Sequence, residues 1–462
     1  MKAVNKWLPA LAGLFLFSSL TAQKQLPPAG GTAKNFKLPQ KKAKALPNGL
    51  RTVLVQYGDL PKATIQLIIK TGNVHEGPNE VWLADLTCQM IKQGTSSLDF
   101  KALSKKAAEM GGNLSLSAGP DQTYISGSVL SEYAPDFIRL IADVIMHPAL
   151  PASELERLKS DLKRNLTVSK SRPQSLAAEK FYQAVYKDHP YGRYFPTEAM
   201  ISSYTVEKVK GFYDKNFGAK RSVLYVAGKF DEAAVTTAAA AAFGKWKAGP
   251  DVQYPPVKIE TATDTALLDR KSAPQTTIMV GLPALTPKDK DYLPQIITNS
   301  LLGGSFFSRI TSNIRENKGY TYSPSSYIDN KMGASMWIEQ ADVTSEHTAD
   351  ALLEIQKEIA RLQNEPPTKE EVAGIQNYEA GIFVLRNSSP AGIISQLNFL
   401  DRFGLPDSYL TNLVQNMYKV TPEKISEIAK KQFKPENMKV VMVGDKASVQ
   451  KQLDAGTPKK AF

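Results

Sequence analysis

Arg315 and Tyr322 are the side chains in this sequence whose types and spacing are best suited to polar chemistry at a carbonyl group. They lie seven residues apart, and Gly319 between them is expected to end a helix that contains Arg315. Tyr322 would then lie on the next strand, so that both side chains converge near one turn. A guanidinium and a phenol placed together can donate hydrogen bonds to a carbonyl, or to the oxyanion that develops when it is attacked. Taken alone, such a pair is more often a helix-end cation and a core tyrosine, and the spacing leaves both interpretations open.

Other catalytic patterns are scarce. The sequence has no Gly-x-Ser-x-Gly elbow and no recognisable Ser/His/Asp order. The glycine pair Gly303 and Gly304 fits neither common phosphate-loop pattern and is compatible with a helix C-cap. Four scattered histidines are each expected to be surface or structural residues: His75, His147, His189 and His347.

The sequence also contains an internal repeat, which restricts the architecture in which Arg315 and Tyr322 are placed. The segments 205–209 and 226–228 recur 216 residues later, at 421–425 and 442–444. Each longer segment begins with Thr and carries a Glu two positions on, which is typical of a helix start. Each shorter segment ends an apolar run that indicates a buried strand. Duplication of one domain is the economical explanation.

The duplication predicts two homologous domains of the α+β class. A first domain covers 46–248, a second covers 257–462, and the Gly- and Pro-rich linker 249–256 cannot sustain a helix or an inner strand. An N-terminal extension covers 23–45. The order of strands, helices, hairpin and returning strand indicates that each half is a mainly antiparallel sheet with helices packed on one face. The first half is expected to contain strands at 50–57 and 63–70, a helix at 78–93, a hairpin of 113–118 with 122–130, and a helix at 153–169.

Length and composition restrict the class of protein. The 462 residues are 42% apolar and 22% charged, as in proteins with packed cores. The formal net charge of +12 is spread among 45 acidic residues without a basic cluster, so nucleic acid is not an expected partner. Cys88 is the only cysteine, which rules out an internal disulfide.

The first 22 residues are predicted to be a secretory signal peptide. Two lysines precede the apolar run 7–20, and small residues follow it. This run is too short for a bilayer span of about 20 apolar residues, and no later segment approaches that length. The chain is therefore expected to be secreted, to the periplasm in the preferred interpretation, without a transmembrane segment.

Residues 77–95 resemble the zinc-site helix of the pitrilysin/insulinase metallopeptidases, the inverzincins. In that family, His-x-x-Glu-His places two zinc-binding histidines on one helical face and a glutamate that activates water between them. The matching positions here are Asp85, Cys88 and Gln89. Gln89 is a neutral amide and Cys88 does not replace a carboxylate base, so the resemblance implies a degenerate zinc site with no metal in this chain. The family's third ligand, a glutamate, falls near 163–164, where Lys and Arg would repel a divalent cation.

An alternative hypothesis is that this helix still binds zinc. Asp85 and Cys88 could bind zinc by themselves, whereas the simpler alternative is a packed helix with a buried thiol. The sequence favours the packed helix.

Residues 301–310 and 313–323 resemble the second-domain signature of the same family. There an Arg and a Tyr, seven residues apart, face the zinc site from the opposing domain and hold the substrate backbone, and Arg315 with Tyr322 matches them. In the family the glycine pair, here Gly303 and Gly304, begins a flexible loop associated with substrate entry. A substrate peptide would add as a strand to a sheet edge, for which the candidate contacts are Asn113, Ser115 and Ser117.

The resemblance is highest with the mitochondrial-processing-peptidase-like branch, in which some enzymes divide their work between two homologous chains. It implies that this chain is the non-catalytic subunit of a secreted zinc metallopeptidase, inactive alone and without a cofactor of its own. A homologous partner chain, in a heterodimer or larger complex, would carry the zinc, and Arg315 and Tyr322 would hold the carbonyl of an unfolded peptide substrate in trans. The alternative is a non-enzymatic assembly or peptide-holding scaffold of the same fold.

Overall fold

A computed structural model describes residues 36–456 of the chain. The predicted signal peptide and residues 23–35 of the extension lie outside the described residues. The strands are β1 (Lys41–Ala45), β2 (Arg51–Gln56), β3 (Lys62–Ile69), β4 (Ser115–Ala118), β5 (Thr123–Leu130), β6 (Ser222–Gly228), β7 (Asp264–Asp269), β8 (Gln275–Pro283), β9 (Ser325–Lys331), β10 (Ala334–Thr344) and β11 (Lys439–Gly444).

Helices connect these strands in both halves. The α-helices are α1 (Leu83–Ile91), α2 (Phe100–Glu109), α3 (Ala134–Met146), α4 (Ala152–Ser171), α5 (Pro173–Tyr186), α6 (Glu198–Ser202), α7 (Val206–Asn216), α8 (Glu232–Phe243), α9 (Tyr292–Asn299), α10 (Thr348–Asn364), α11 (Lys369–Arg386), α12 (Pro390–Phe403), α13 (Ser408–Thr411), α14 (Leu413–Tyr418), α15 (Pro422–Gln432) and α16 (Lys446–Gly456). Two wider π-helical segments, Ser300–Gly304 and Thr311–Asn317, follow α9.

Each half builds its own sheet, which confirms the α+β class. The first sheet has the order β1-β2-β6-β3-β5-β4, and the second has the order β7-β11-β8-β10-β9. Only the pairs β2 with β6 and β7 with β11 are parallel among these strands, and the other neighbours are antiparallel. The edge strand β1 lies within the stretch that the sequence analysis left as an N-terminal extension.

The repeated segments form equivalent elements in the two halves. Thr205 caps α7 by accepting a hydrogen bond from the Lys208 amide, and Thr421 caps α15 in the same way through Lys424. The strands that follow, β6 and β11, are buried along their whole length. The helix starts and buried strands predicted from the repeat are therefore present.

The helices of each half pack on one face of its sheet, and a helix from the other half covers the second face. Ile394 of α12, from the second half, packs on β2, β3 and β6 of the first sheet. Phe181 of α5, from the first half, packs on β8 and β11 of the second sheet. This exchange of helices ties the halves together by apolar burial on both sides.

A buried polar network also joins the halves. Asp121, in the turn between β4 and β5, is 2% exposed and accepts hydrogen bonds from Arg402 of α12 and from the Tyr191 hydroxyl. The Met332 amide donates to Asp121 Oδ2 at 3.2 Å, and Arg402 Nη2 donates to the Asn330 carbonyl oxygen at 2.8 Å. The network connects the β4–β5 turn to α12 and to the turn between β9 and β10.

Within residues 36–456, none of the helices is both long enough and apolar enough to cross a membrane.

Candidate functional site

The structure brings Arg315 and Tyr322 together. Arg315 lies in the last turn of the Thr311–Asn317 segment, and Gly319, with φ of +67°, turns the chain after it. The guanidinium carbon lies 4.8 Å from the centre of the Tyr322 ring and 4.5 Å from the centre of the Phe306 ring. Arg315 Nε lies 3.0 Å from Glu316 Oε1. The cation is thus held between two aromatic rings, which fixes the plane of its donors.

Tyr322 lies in a loop, and the prediction of a strand at this residue was wrong. Thr321 forms an isolated bridge with Val343, and β9 begins only at Ser325. Pro324, between them, has no N–H to donate to the ladder, so pairing with β10 is interrupted there. Tyr322 is 78% exposed as a result. The alternative interpretation of the pair, in which this tyrosine is a core residue, is therefore wrong.

Two further aromatic residues surround this pair. Phe306 packs on Arg315 and is 53% exposed, and its neighbour Phe307 is 77% exposed. Sequence reasoning did not select either of them as a site residue. Exposed aromatic groups around a polar pair are typical of a surface that binds a partner or a ligand.

Gly303 and Gly304 belong to the π-helical segment Ser300–Gly304 rather than to an open loop. Gly303 is buried, and a Cβ atom there would lie 2.4 Å from Glu339 Oε2 and 2.6 Å from Ser326 Oγ. Glycine is therefore required by close packing. Glu339 lies beneath the segment and is completely buried, and this burial raises the pKa of its carboxyl well above the usual range.

Asp85, Cys88 and Gln89 do not converge on one point. Asp85 lines a cleft between the halves and accepts a hydrogen bond from Asn73 Nδ2 at 2.8 Å. Cys88 is 2% exposed and packs in the first hydrophobic core. Gln89 lines a separate surface groove with Lys92.

This donor set does not fit zinc. Burial strongly raises the pKa of the Cys88 thiol and raises that of Asp85 to about 6, so the thiol is not an anionic ligand. From α4, Ser169 lines the cleft, while Arg164 is exposed and pairs with Asp161. The positive charge expected at a third ligand position is therefore not part of the cleft. Across residues 36–456, no group of three or more His, Cys, Asp or Glu side chains is arranged to hold a metal ion.

Cys88 should be unreactive in the folded protein. Because the thiol is buried and its pKa is raised, we expect a disulfide reagent such as Ellman's reagent to label it at least about 100-fold more slowly than a free cysteine. Labelling in denaturant should reach one thiol per chain. Rapid labelling without denaturant would contradict the core position, and Cys88→Ser provides the blank.

The candidate substrate edge is only partly a strand. β4 is the outermost strand of the first sheet and contains the exposed residues Ser115 and Ser117. Asn113 precedes the strand, whose predicted start was two residues too early. Among residues 36–456, no strand pairs with the outer side of β4, and strand addition by a peptide requires such a free edge.

Glu76 is a cleft residue that the sequence analysis missed. Its carboxyl accepts hydrogen bonds from the amides of Ala84 at 2.8 Å and Trp82 at 3.1 Å. It thereby caps α1, because Trp82 at the N-cap has no side-chain acceptor. Burial raises the Glu76 pKa, and these hydrogen bonds oppose that rise. The helix consequently begins at Leu83, later than predicted. A capping residue seven positions before the helix start does not match the usual N-cap pattern, so the sequence did not indicate it.

The histidines make structural contacts of their own. His75 accepts a hydrogen bond from the Gly72 amide at 3.2 Å, and burial lowers its pKa to about 4. His347 stacks on Tyr320 with ring centres 4.3 Å apart. His147 lies 3.3 Å from Asp143 on α3.

Two family models match consecutive stretches of the chain. Residues 51–196 match the model described as insulinase (peptidase family M16), and residues 203–378 match the model described as the peptidase M16 inactive domain. A protein of Rickettsia felis named an uncharacterized zinc protease is 26% identical over 321 residues, which cover 69% of this chain and 77% of that protein. An uncharacterized zinc protease of Bacillus subtilis is 22% identical over 392 residues, covering 84% and 94%.

Solved structures share the fold. The peptidase M16 inactive domain from Pseudomonas fluorescens superposes with a TM-score of 0.80 at 24% identity, covering 88% of this chain and 98% of that chain. The periplasmic protease PqqL from Escherichia coli gives a TM-score of 0.75 at 17% identity. This second likeness covers 92% of this chain and 49% of the Escherichia coli chain.

Proposed function

The chain belongs to the M16, or insulinase, family of peptidases, and on that premise we propose that it is the non-catalytic subunit of a heteromeric zinc peptidase. The observation that carries the proposal is a contrast between the two halves. The second half presents Arg315 packed against the exposed Tyr322 ring, whereas the first-half helix has Cys88 in the core at the position of the family's water-activating glutamate. In this arrangement the chain would hold a substrate but would not itself activate water.

Arg315 would orient the scissile peptide. Its Nε faces Glu316, and stacking on Phe306 and Tyr322 holds the guanidinium plane, so the Nη1 and Nη2 edge is the part assigned to the substrate carbonyl. The Tyr322 hydroxyl would donate a second hydrogen bond to the same oxygen. Donors that are positioned before the reaction stabilise the oxyanion without reorganisation. A zinc-bearing, homologous partner chain would supply the activated water.

An unfolded peptide is the proposed substrate. Its backbone would pair with the outer side of β4, where Ser115 and Ser117 point outward and impose little side-chain selection. A mainly backbone interaction suits peptides of varied sequence. Asn113 would contact the peptide just beyond the strand.

The proposed compartment is the periplasm. The charged and apolar pattern of residues 1–22 supports export, and one structural neighbour is named a periplasmic protease. Removal of residues 1–22 on export is the corresponding expectation. N-terminal sequencing of the native protein would test it.

Reconstitution tests the division of labour. The purified chain should cleave no unstructured peptide by itself, because it has no water-activating group at the first-half helix. A homologous exported chain with an intact His-x-x-Glu-His motif should gain peptidase activity when this chain is added. Gentle isolation of the native protein, followed by mass identification of what accompanies it, supplies the partner. Chelator-sensitive cleavage by the chain alone would contradict the proposal, as would a partner that is fully active without it.

A scaffold without any role in hydrolysis is the second candidate. It is favoured by one observation: Arg315 already has an acidic neighbour, Glu316, and two aromatic neighbours, as a structural arginine would. Arg315→Ala separates the two candidates. A scaffold predicts loss of complex assembly in gel filtration, whereas the peptidase role predicts an assembled complex with little activity.

A further inference from the structure

A cleft of about 300 Å³ lies between the two halves, away from Arg315 and Tyr322. Its walls come from the first half, among them Glu76, Trp82, Asp85, Tyr182, Arg193 and Phe195, with one second-half residue, Lys331, at the end of β9. This volume suits a small organic group. Aromatic rings and acidic groups are combined in its walls.

The aromatic walls form one packed cluster. Trp82 meets Phe195 edge to face with ring centres 5.9 Å apart, and Phe195 meets Tyr194 at 4.8 Å. Tyr194 in turn stacks on Tyr182 at 5.8 Å. Ring faces attract cations through the negative potential of the π systems, and Lys170 Nζ already lies over the Phe195 ring, 5.6 Å from its centre.

The backbone at Trp82 is held in an unfavourable conformation that places its ring in this wall. Trp82 has φ of +68°, in the left-handed region that favours glycine and is rare for a bulky residue. The Trp82 amide is fixed by its hydrogen bond to Glu76, and the indole is fixed by Phe195. Strain of this kind is retained mainly at sites with a function.

Asp85 is the acceptor left for a ligand in the cleft. The Lys331 ammonium is 3.0 Å from Asp329 and lies 4.9 Å from the centre of the Tyr182 ring, so it already has an anion and an aromatic face. Arg193 donates to the carbonyl oxygens of Glu76 and Asp188 at 3.0 Å and 3.1 Å. Asp85 accepts a hydrogen bond from the neutral Asn73 amide, which leaves its negative charge without a cation among these contacts.

We propose that this cleft binds an organic ammonium group, with its charge on the Asp85 carboxylate and its alkyl groups against Trp82 and the neighbouring rings. The shared chemistry is a cation that carries apolar carbon, as in a quaternary amine, a lysine side chain or the free amino terminus of a peptide. A site of this kind uses Asp85, one of the three degenerate zinc-site positions, for a different class of ligand. The proposal does not depend on the role assigned to Arg315.

Calorimetric titration of the full chain tests the proposal with three probes. Tetramethylammonium, Nα-acetyl-lysine amide and an alanine dipeptide amide distinguish the three sources of the cation, and uncharged N-acetyl-alanine amide is the ligand control. We expect at least one cation to bind. Asp85→Asn, which is isosteric, should lower its affinity at least about 10-fold, and Trp82→Gly, which suits the positive φ, at least about 5-fold. Asp161→Asn, on the exposed side of α4, is the matched control and should leave binding unchanged.

The pH dependence provides a second readout. Because burial raises the Asp85 pKa to about 6, affinity should fall as the pH drops through 6. The other charged or titratable groups around Asp85 are Glu76, Cys88, Arg193 and Lys331, together with Tyr182, Tyr191, Tyr194 and Tyr204. Of these, Glu76 would increase affinity by ionising at higher pH. The Asn variant should lack the step near pH 6.

Failure to bind any of the three cations would overturn the proposal, as would equal binding to wild type and Asp85→Asn. Folding of each variant is checked by circular dichroism and thermal unfolding. A well-folded Asn variant with unchanged affinity is as decisive as no binding. Neither outcome affects the reconstitution test of the peptidase role.

Discussion

Replacing Arg315 with alanine should lower kcat/KM of the reconstituted peptidase by about 10²- to 10³-fold, the effect of removing one oxyanion donor. The guanidinium is held between Phe306 and Tyr322, so its donors need little reordering when the tetrahedral oxyanion forms. The loss should be found mainly in kcat, because the interaction strengthens in the transition state. Steady-state kinetics on an unstructured peptide provide the measurement.

Three further variants separate the contributions of the hydroxyl, the planar guanidinium and surface charge. Tyr322→Phe keeps the ring that stacks on Arg315 and removes only the hydroxyl, so a smaller loss in kcat is expected. Arg315→Lys keeps the charge but loses the planar pair of donors, and should recover little activity. Arg139→Ala removes an exposed arginine paired with Asp136 and is the control for loss of surface charge. Unchanged kcat/KM in an assembled Arg315→Ala complex would remove the assigned role.

Replacing Arg402 with alanine should destabilise the chain by about 3 kcal/mol, since removal of one partner leaves the buried Asp121 carboxylate without its cation. The ion pair lies where α12 of the second half meets the β4–β5 turn of the first half. Tyr191 and the Met332 amide still donate to Asp121, so the chain should fold. Urea unfolding followed by circular dichroism measures the change.

A double-mutant cycle isolates the ion pair. Asp121→Asn combined with Arg402→Met removes both charges and keeps most of the side-chain volume. The double variant should be less destabilised than the sum of the two single variants, because neither charge is then left unpaired. Strict additivity would show that the two groups are not coupled. Arg157→Ala, which removes exposed ion pairs with Glu154 and Asp161, should change stability by less than about 1 kcal/mol and serves as the control.

The α+β class and several elements could be predicted from the sequence because the relevant signals are local and are repeated in the two halves. The Thr residues that start α7 and α15, and the apolar runs of β6 and β11, are read from neighbouring residues. The helix exchange could not be predicted in this way. An apolar face on α5 or α12 shows that a helix is covered, but it does not show that the sheet of the other half covers it.

The sequence identified Arg315 and Tyr322 as candidate site residues, but it predicted their surroundings less well. The approach of Arg315 to Tyr322 follows from a helix, a glycine and a short connection. The second ring, Phe306, comes from a segment nine residues earlier and depends on the turn between the two π-helical segments. Tyr322 was placed on the strand expected after the helix break at Gly319, and the missing N–H of Pro324 was not considered. The aromatic cleft was missed because Trp82 and Tyr194 meet only through tertiary packing.

The zinc content of the purified chain tests the central claim most directly, namely that this subunit has no metal centre of its own. After incubation with zinc and extensive dialysis, elemental analysis should find far less than one zinc ion per chain, and the same treatment should load a homologue with an intact His-x-x-Glu-His helix. If the chain instead retained one zinc ion, and the Asp85→Asn variant did not, the account would be contradicted. This chain would then have a metal centre of its own.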